Sequence, residues 1–263
     1  RLNLKIWHYK KYKGSKDNII IIHFTIGSEI FDFIKDLPDK KIIIYHSITP
    51  PNYMDNINDY IKILLKKGQE QLLYFKDELI LADSKYNIKE LDALGFKNVK
   101  ELPLIIDFNK YKKEFNKKLY DYYNDGYKTI LFVGRLYPNK KQEDIIKTFC
   151  FYNKFINKKS RLFLVGDYEH TKKYFRYLKE MTKKLDIEDK VIFTGRVNDN
   201  DLITYYRLAE IFLCMSEHEG FCIPLVEAMF FKIPILAYNS TAIPYTLKDS
   251  SILINKKTFY EIA

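Results

Sequence analysis

The chain has 263 residues, 47% hydrophobic and 30% charged, with a formal charge of +10 at neutral pH. These values fit a soluble globular protein of one large domain or two ordinary ones. No apolar run reaches the ~18 residues of a membrane-spanning helix, and the N-terminus lacks the apolar stretch of a secretory signal. The chain begins with Arg1 rather than methionine, so its true start is expected to be missing. Cys150, Cys214 and Cys222 are odd in number and lack metal-ligand spacing, which fits a reducing cytosol and argues against a disulfide framework or a zinc site. Only six of the 44 basic residues are arginine, so an arginine here is stronger evidence of a site than a lysine. The basic surface suits an anionic partner (nucleic acid, acidic phospholipid or a phosphorylated substrate) or is plain solvation.

In chain order, short β-branched runs predict strands over 18–24, 41–46, 79–83 and 98–104. A second series follows over 128–134, 161–167, 190–195, 211–215, 234–239 and 251–255. Helical patterns lie between them, among others over 55–78, 142–155, 171–185 and 200–209. In the last, Leu202, Tyr205, Tyr206 and Ala209 share one helix face. Such alternation implies parallel sheets covered by helices on both sides. Residues 107–127 interrupt it, charged and aromatic with no strand candidate, and read as a connection between two α/β domains or as an extra surface helix.

Among only nine glycines, Gly134, Gly166, Gly195 and Gly220 fall at or just after predicted strand ends in the second half. Open parallel sheets bind ligands at those ends, where backbone must approach the ligand closely. Arg135 follows the first such glycine, and Lys140 stands before the next helix. Together they could clamp a diphosphate, the arginine as a bidentate fork and the lysine as a point charge. The alternative is a surface ion pair for Arg135 and a solvated Lys140. The stretch SEHEGFCIPLVEAM places Glu219 in a loop and Glu227 on the first turn of a helix opened by Pro224, with the amides of Gly220, Phe221 and Cys222 just before it. The two carboxylates could grip a ligand from both ends, or Glu227 could simply complement the helix dipole.

These segments resemble a family. The E-x7-E spacing of Glu219 and Glu227 is similar to the signature of retaining nucleotide-sugar glycosyltransferases of the GT-B fold, the glycogen-synthase-like group. FVGRLYPNKKQEDII resembles its phosphate-binding loop, and VIFTGRVNDNDLITYYRLAEIFLCMSEHEGF its base-binding turn and the run that follows. IIIYHSITP and LILADSKYNIKELDALGF resemble acceptor-side elements upstream. Their co-occurrence in order is the strength of the match. The resemblance implies two Rossmann-like doubly wound parallel-sheet domains, residues 1–110 on the acceptor side and 111–263 binding the donor. The first would be incomplete and the second would lack its last helices.

It further implies catalytic roles for His46, Glu219, Arg135 and Lys140. Arg135 and Lys140 would bind the diphosphate, Glu219 the sugar, Glu227 the ribose, and Gly220 and Phe221 phosphate or sugar. Gly195 and Arg196 would meet the base. No metal ligand, divalent requirement or separate cofactor is expected. The implied donor is a UDP-, GDP- or ADP-sugar and the acceptor a glycan or lipid-linked glycan. An anionic membrane surface is a candidate partner, nucleic acid is not, and the expected location is the cytoplasm or the inner face of the plasma membrane. His23 reads as structural, and His218 has no clear task. Lys141 and Tyr245 depart from the family's frequent glycine and glutamate. The rival readings are a non-catalytic nucleotide-sugar binding module, a GT-B epimerase and, from the charge alone, a nucleic-acid binder.

Overall fold

The computed structural model describes residues 8–263 and divides them into two compact units. The first comprises residues up to 52 together with 59–103, and the second 53–58 and 104–263. The division therefore falls at Leu104 rather than after residue 110, and the short stretch 53–58 packs with the second unit. The interrupted segment 107–127 contains no strand, as expected. It carries a 3-10 turn, Phe108–Lys112, and helix α4, Lys117–Tyr123, whose Tyr111 and Tyr123 reach inward. Aromatic anchors, invisible to a search for periodicity, bind this connection to the second unit.

In the first unit, strands β1 (Ile19–Phe24), β2 (Lys40–Tyr45), β3 (Leu79–Ala82) and β4 (Val99–Glu101) form a parallel sheet in that order. Helices α1 (Glu29–Ile34), α2 (Asp59–Leu72) and α3 (Lys85–Ala93) accompany it. Helix α2 is shorter than its apolar pattern suggested, because the chain tightens into a 3-10 turn at Leu73–Phe75. Ser84 caps α3 by accepting the Asn87 N–H, the usual service of an N-cap serine.

The second unit holds β5 (Lys128–Val133), β6 (Ser160–Val165), β7 (Val191–Gly195), β8 (Ile211–Cys214), β9 (Ile235–Tyr238) and β10 (Ile252–Ile254). All pair in parallel, in the order β7-β6-β5-β8-β9-β10. Its remaining helices are α5 (Gln142–Phe151), α6 (Lys172–Lys184), α7 (Asp199–Leu208), α8 (Ile223–Phe230), α9 (Ile243–Leu247) and α10 (Phe259–Ile262). Strand β6 is buried along its whole length, so SRLFLV reads as a continuous apolar run after Ser160 and Arg161 rather than an alternation. Leu131, Phe132, Phe163, Phe212, Ile145, Phe149 and Leu225 fill the core on both faces of this sheet. All ten predicted strands exist within a residue or two of their expected ends, except that β4 stops three residues early. The order runs outward in both directions from the pair β5 and β8. A crevice therefore opens between the carboxyl ends of those two strands, where successive crossovers turn opposite ways.

Candidate functional site

Two loops meet at that crevice: 134–141 after β5 and 215–222 after β8. Each depends on backbone that side chains rarely adopt. Lys141 (φ 53°) closes the first loop and Cys222 (φ 71°) the second, both in the left-handed region where glycine is at home. The Lys141 departure noted in the sequence thus falls on a position with a glycine-like conformation. Behind the first loop, Gly134 and Gly166 pack back to back, and a Cβ on Gly166 would lie 2.0 Å from the Gly134 carbonyl oxygen. Gly166 therefore permits β5 and β6 to end side by side, and the loop springs from that contact.

The loops are joined by hydrogen bonds. The Glu217 N–H donates to the Asn139 carbonyl (2.8 Å), and the Asn139 side-chain amide donates to the His218 carbonyl (3.0 Å). Asn139 is 2% exposed, so both bonds are shielded from water. From the other side, Ser240 Oγ donates to the Ser216 carbonyl (2.6 Å) and the Glu219 N–H donates to Thr241 Oγ1 (2.9 Å). Ion pairs complete the joint. Lys140 Nζ lies 2.5 Å from Glu219, and Lys141 lies 3.3 Å from Glu217. Burial pushes the Glu217 carboxyl up, but ion pairs with Lys257 and Lys141 outweigh it and hold the group below its ordinary range.

The predicted residues fall as follows. Arg135 is exposed at the strand end, its guanidinium 5.0 Å from the Tyr137 ring centre. It makes no ion pair among the described residues, which disposes of the surface-pair alternative. Lys140 is not merely solvated, since it holds the buried Glu219. Gly220 and Phe221 lie in the bend between Glu219 and α8, and the Phe221 carbonyl accepts from Thr246 Oγ1 (2.5 Å). Gly195 ends β7 with φ 68°, and Arg196 is exposed beside an open hollow of about 680 Å³ that it shares with Lys113, Asn198 and Asp199.

One expectation needs correction. Glu227 is the fifth residue of α8, not part of its first turn, so it lies too far along the helix to complement the positive end of the dipole. It is instead a buried acceptor. Tyr111 donates to its Oε1 and Tyr206 to its Oε2 (2.6 Å), with Lys110 Nζ 3.6 Å away. Burial and the adjacent carboxylate push the hydroxyls of both tyrosines well above their ordinary range. Cys214 and Cys222 are eight residues apart, yet their sulfurs and a Glu219 oxygen lie within 4.8 Å of one another.

His46, in the first unit, ends strand β2. Its Nδ1 lies 2.7 Å from Asp83 Oδ2 and its Nε2 2.8 Å from His23 Nδ1, with the two imidazoles stacked. Asp83 is buried, and its carboxylate fixes the tautomer that carries a proton on His46 Nδ1. His23, read as structural, is thus the direct partner of the candidate catalytic histidine. Sequence reasoning missed Asp83, Asn139, Tyr111 and Tyr206, whose roles come from contacts between distant segments.

Residues 116–260 match the family described as "Glycosyl transferases group 1". The chain belongs to that family. The matched glycosyltransferase domain spans both loops of the crevice, from α4 to α10. The chain is 36% identical over 113 residues to an uncharacterized glycosyltransferase of Haemophilus influenzae, covering 43% of this chain and 30% of that protein. It is 25% identical over 268 residues to the O-antigen chain mannosyltransferase RfbU of Salmonella typhimurium, covering 97% of this chain and 68% of that protein. It spans about a third or less of several other curated relatives. Among solved structures, sucrose-phosphate synthase of Thermosynechococcus elongatus superposes with a TM-score of 0.69 at 14% identity, over 91% of this chain and 61% of that one. HepE of Anabaena, solved with UDP and glucose, superposes with a TM-score of 0.66 at 13% identity, over 92% of this chain and 80% of that one. These similarities establish the two Rossmann-like domains of the GT-B fold. No described helix is long and apolar enough to cross a membrane.

Proposed function

We propose that this chain is a retaining glycosyltransferase that moves a sugar from a nucleoside-diphosphate sugar to a glycan or lipid-linked acceptor in bacterial surface polysaccharide synthesis, with residues 104–263 binding the donor and the first unit on the acceptor side. The observation that carries this reading is the β5–β8 crevice. There Arg135, stacked on Tyr137 and in no ion pair among the described residues, and a lysine–glutamate pair stand on two loops already bonded together. Transfer leaves negative charge on the departing diphosphate while the anomeric carbon becomes cationic. Arg135, Lys140 and the amides near Gly220 and Phe221 would stabilise that charge. Glu219, once Lys140 turns toward phosphate, is free to accept hydrogen bonds from sugar hydroxyls. Glu227, whose oxygens accept from Tyr111 and Tyr206, is the residue that would meet the ribose diol. Arg196, on the exposed rim, would meet the base. In the first unit the catalytic role remains with His46, held by Asp83.

The UDP complexes of HepE, and the O-antigen and mannosyl transfer named for several relatives, support a sugar nucleotide and a polysaccharide product. Catalysis is taken to need no divalent cation, because fixed cations at the phosphates supply the charge. Activity lost in EDTA and restored by magnesium contradicts that part. The expected place of action is the cytoplasm, at the anionic inner face of the membrane, to which the +10 chain is drawn.

The test is a thermal-shift panel with UDP, GDP, ADP and CMP beside an Arg135→Ala control. A ligand at 100 times its dissociation constant adds about 2.7 kcal/mol, a shift of several degrees. One diphosphate stabilising the wild type but not the variant supports the site and identifies the base. No shift from any of the four removes the reading from this chain.

A further inference from the structure

Among the described residues, one set of three metal-ligating side chains converges on a point: Cys214 at the end of β8, Glu219 in the loop, and Cys222 at the cap of α8. We propose that these three bind a soft divalent cation of the zinc class, and that the filled site takes Glu219 away from the sugar.

The donor set suits such an ion. Two thiolates and one carboxylate oxygen are ligands that zinc accepts, with metal–sulfur bonds of about 2.3 Å and metal–oxygen bonds of about 2.0–2.2 Å. Tetrahedral bonds of those lengths put the ligand atoms roughly 3.5–4 Å apart. The separations of up to 4.8 Å therefore close by about 1 Å, within reach of side-chain rotation. Ser216 Oγ, 3.4 Å from Cys214 Sγ, or a water completes four-coordination.

The loop is already fixed in the required shape. Glu219 is anchored through its N–H to Thr241 and its carbonyl to the Ala242 N–H. Cys222 holds a left-handed backbone (φ 71°, ψ 69°), which costs an L-residue roughly 1–2 kcal/mol and glycine almost nothing. That conformation turns its thiol back toward Cys214. The ion itself would deprotonate both thiols.

Binding breaks both S–H bonds, forms two metal–sulfur bonds and one metal–oxygen bond, and sends two protons to solvent with no change of oxidation state. Lys140, paired with Glu219 Oε2, stays beside the set and offsets its net negative charge. A metal-bound Glu219 is a poorer acceptor for hydroxyl groups, so a filled site lowers donor affinity. That consequence rests on the glycosyltransferase reading, whereas the metal site does not.

The deciding experiment is an anaerobic titration of the reduced full chain with Co²⁺, followed by the near-ultraviolet thiolate-to-cobalt charge-transfer band. The expected band saturates at about one Co²⁺ per chain and is bleached by an equivalent of Zn²⁺. Cys222→Gly removes one thiolate and installs the residue that the left-handed backbone prefers, so it keeps the fold. Its affinity should fall by about 100-fold or more, as should that of Cys214→Ser, while Cys150→Ser should titrate like the wild type. A band that survives in Cys222→Gly, vanishes in Cys150→Ser, or never saturates in the wild type overturns the proposal. No nucleotide takes part in this readout. A missing band therefore leaves the donor site standing, and a missing nucleotide shift leaves the metal site standing.

Discussion

His218 gives the joined loops a pH dependence whose size can be worked out. It is 5% exposed, and burial together with the Lys140 ammonium lowers its pKa from the ordinary 6.5 to about 4. The neighbouring Glu219 opposes this only in part. Between those values the unfolded chain binds a proton that the folded chain refuses. The neutral imidazole therefore contributes its full stability above pH 6.5, and the contribution is lost as pH falls toward 4. The whole difference, about 2.5 pH units at roughly 1.36 kcal/mol each, is about 3 kcal/mol, of which about 2 kcal/mol is gone by pH 5. For a unit of this size that is about 4–8 °C in melting temperature. The assay is calorimetry of wild type and His218→Gln at pH 7, 6 and 5, at fixed ionic strength and with a chelator so that no cation sits on Glu219. Carboxylates that titrate in both proteins cancel in the difference. The wild type should lose about 4–8 °C more than the variant over this range; parallel losses would refute the argument.

Three further outcomes are expected. Gly166→Ala drives a Cβ into the Gly134 carbonyl and should cost more than about 3 kcal/mol, seen as a collapse of soluble yield; a melting temperature within 2 °C of wild type, on the order of 0.5–1 kcal/mol, contradicts the close packing. Tyr206→Phe strips one donor from the buried Glu227 and should cost about 1–3 kcal/mol in thermal or urea unfolding, whereas a neutral result means the carboxylate is satisfied without it. Asn139→Ala should cost a similar amount and weaken nucleoside-diphosphate binding as well; unchanged affinity would show that the loops keep their places without the bond.

Much of this was legible in the sequence because it depends on local pattern. Parallel strands buried on both faces appear as runs such as LFLV and ILFV, and glycines just beyond them mark where backbone crowds a neighbour. Arg135, Lys140 and Glu219 stand out as candidates by their offset from those strand ends. What depends on convergence was not legible. Glu227 looked like a residue of a helix's first turn because Pro224 suggested a start one residue later than the real one. Its two tyrosine partners come from positions 111 and 206, and nothing in either stretch announces the meeting. The two cysteines, eight apart, fit no ligand spacing until a left-handed residue folds the loop back on its strand. The connection 107–127 likewise hides its boundary, because single aromatic anchors rather than periodicity decide which unit it joins.

The bonding of Asn139 to both Glu217 and His218 also bears on how such a protein can change over generations. A replacement in one loop is felt at once by the other, so the surface they form must drift as a coordinated pair of segments or stay as it is. Arg196 shares no hydrogen bond or ion pair with either loop among the described residues, and its rim is open. On the proposed reading, new preferences for the base can arise there one substitution at a time, while the loops proposed to hold the leaving group stay fixed.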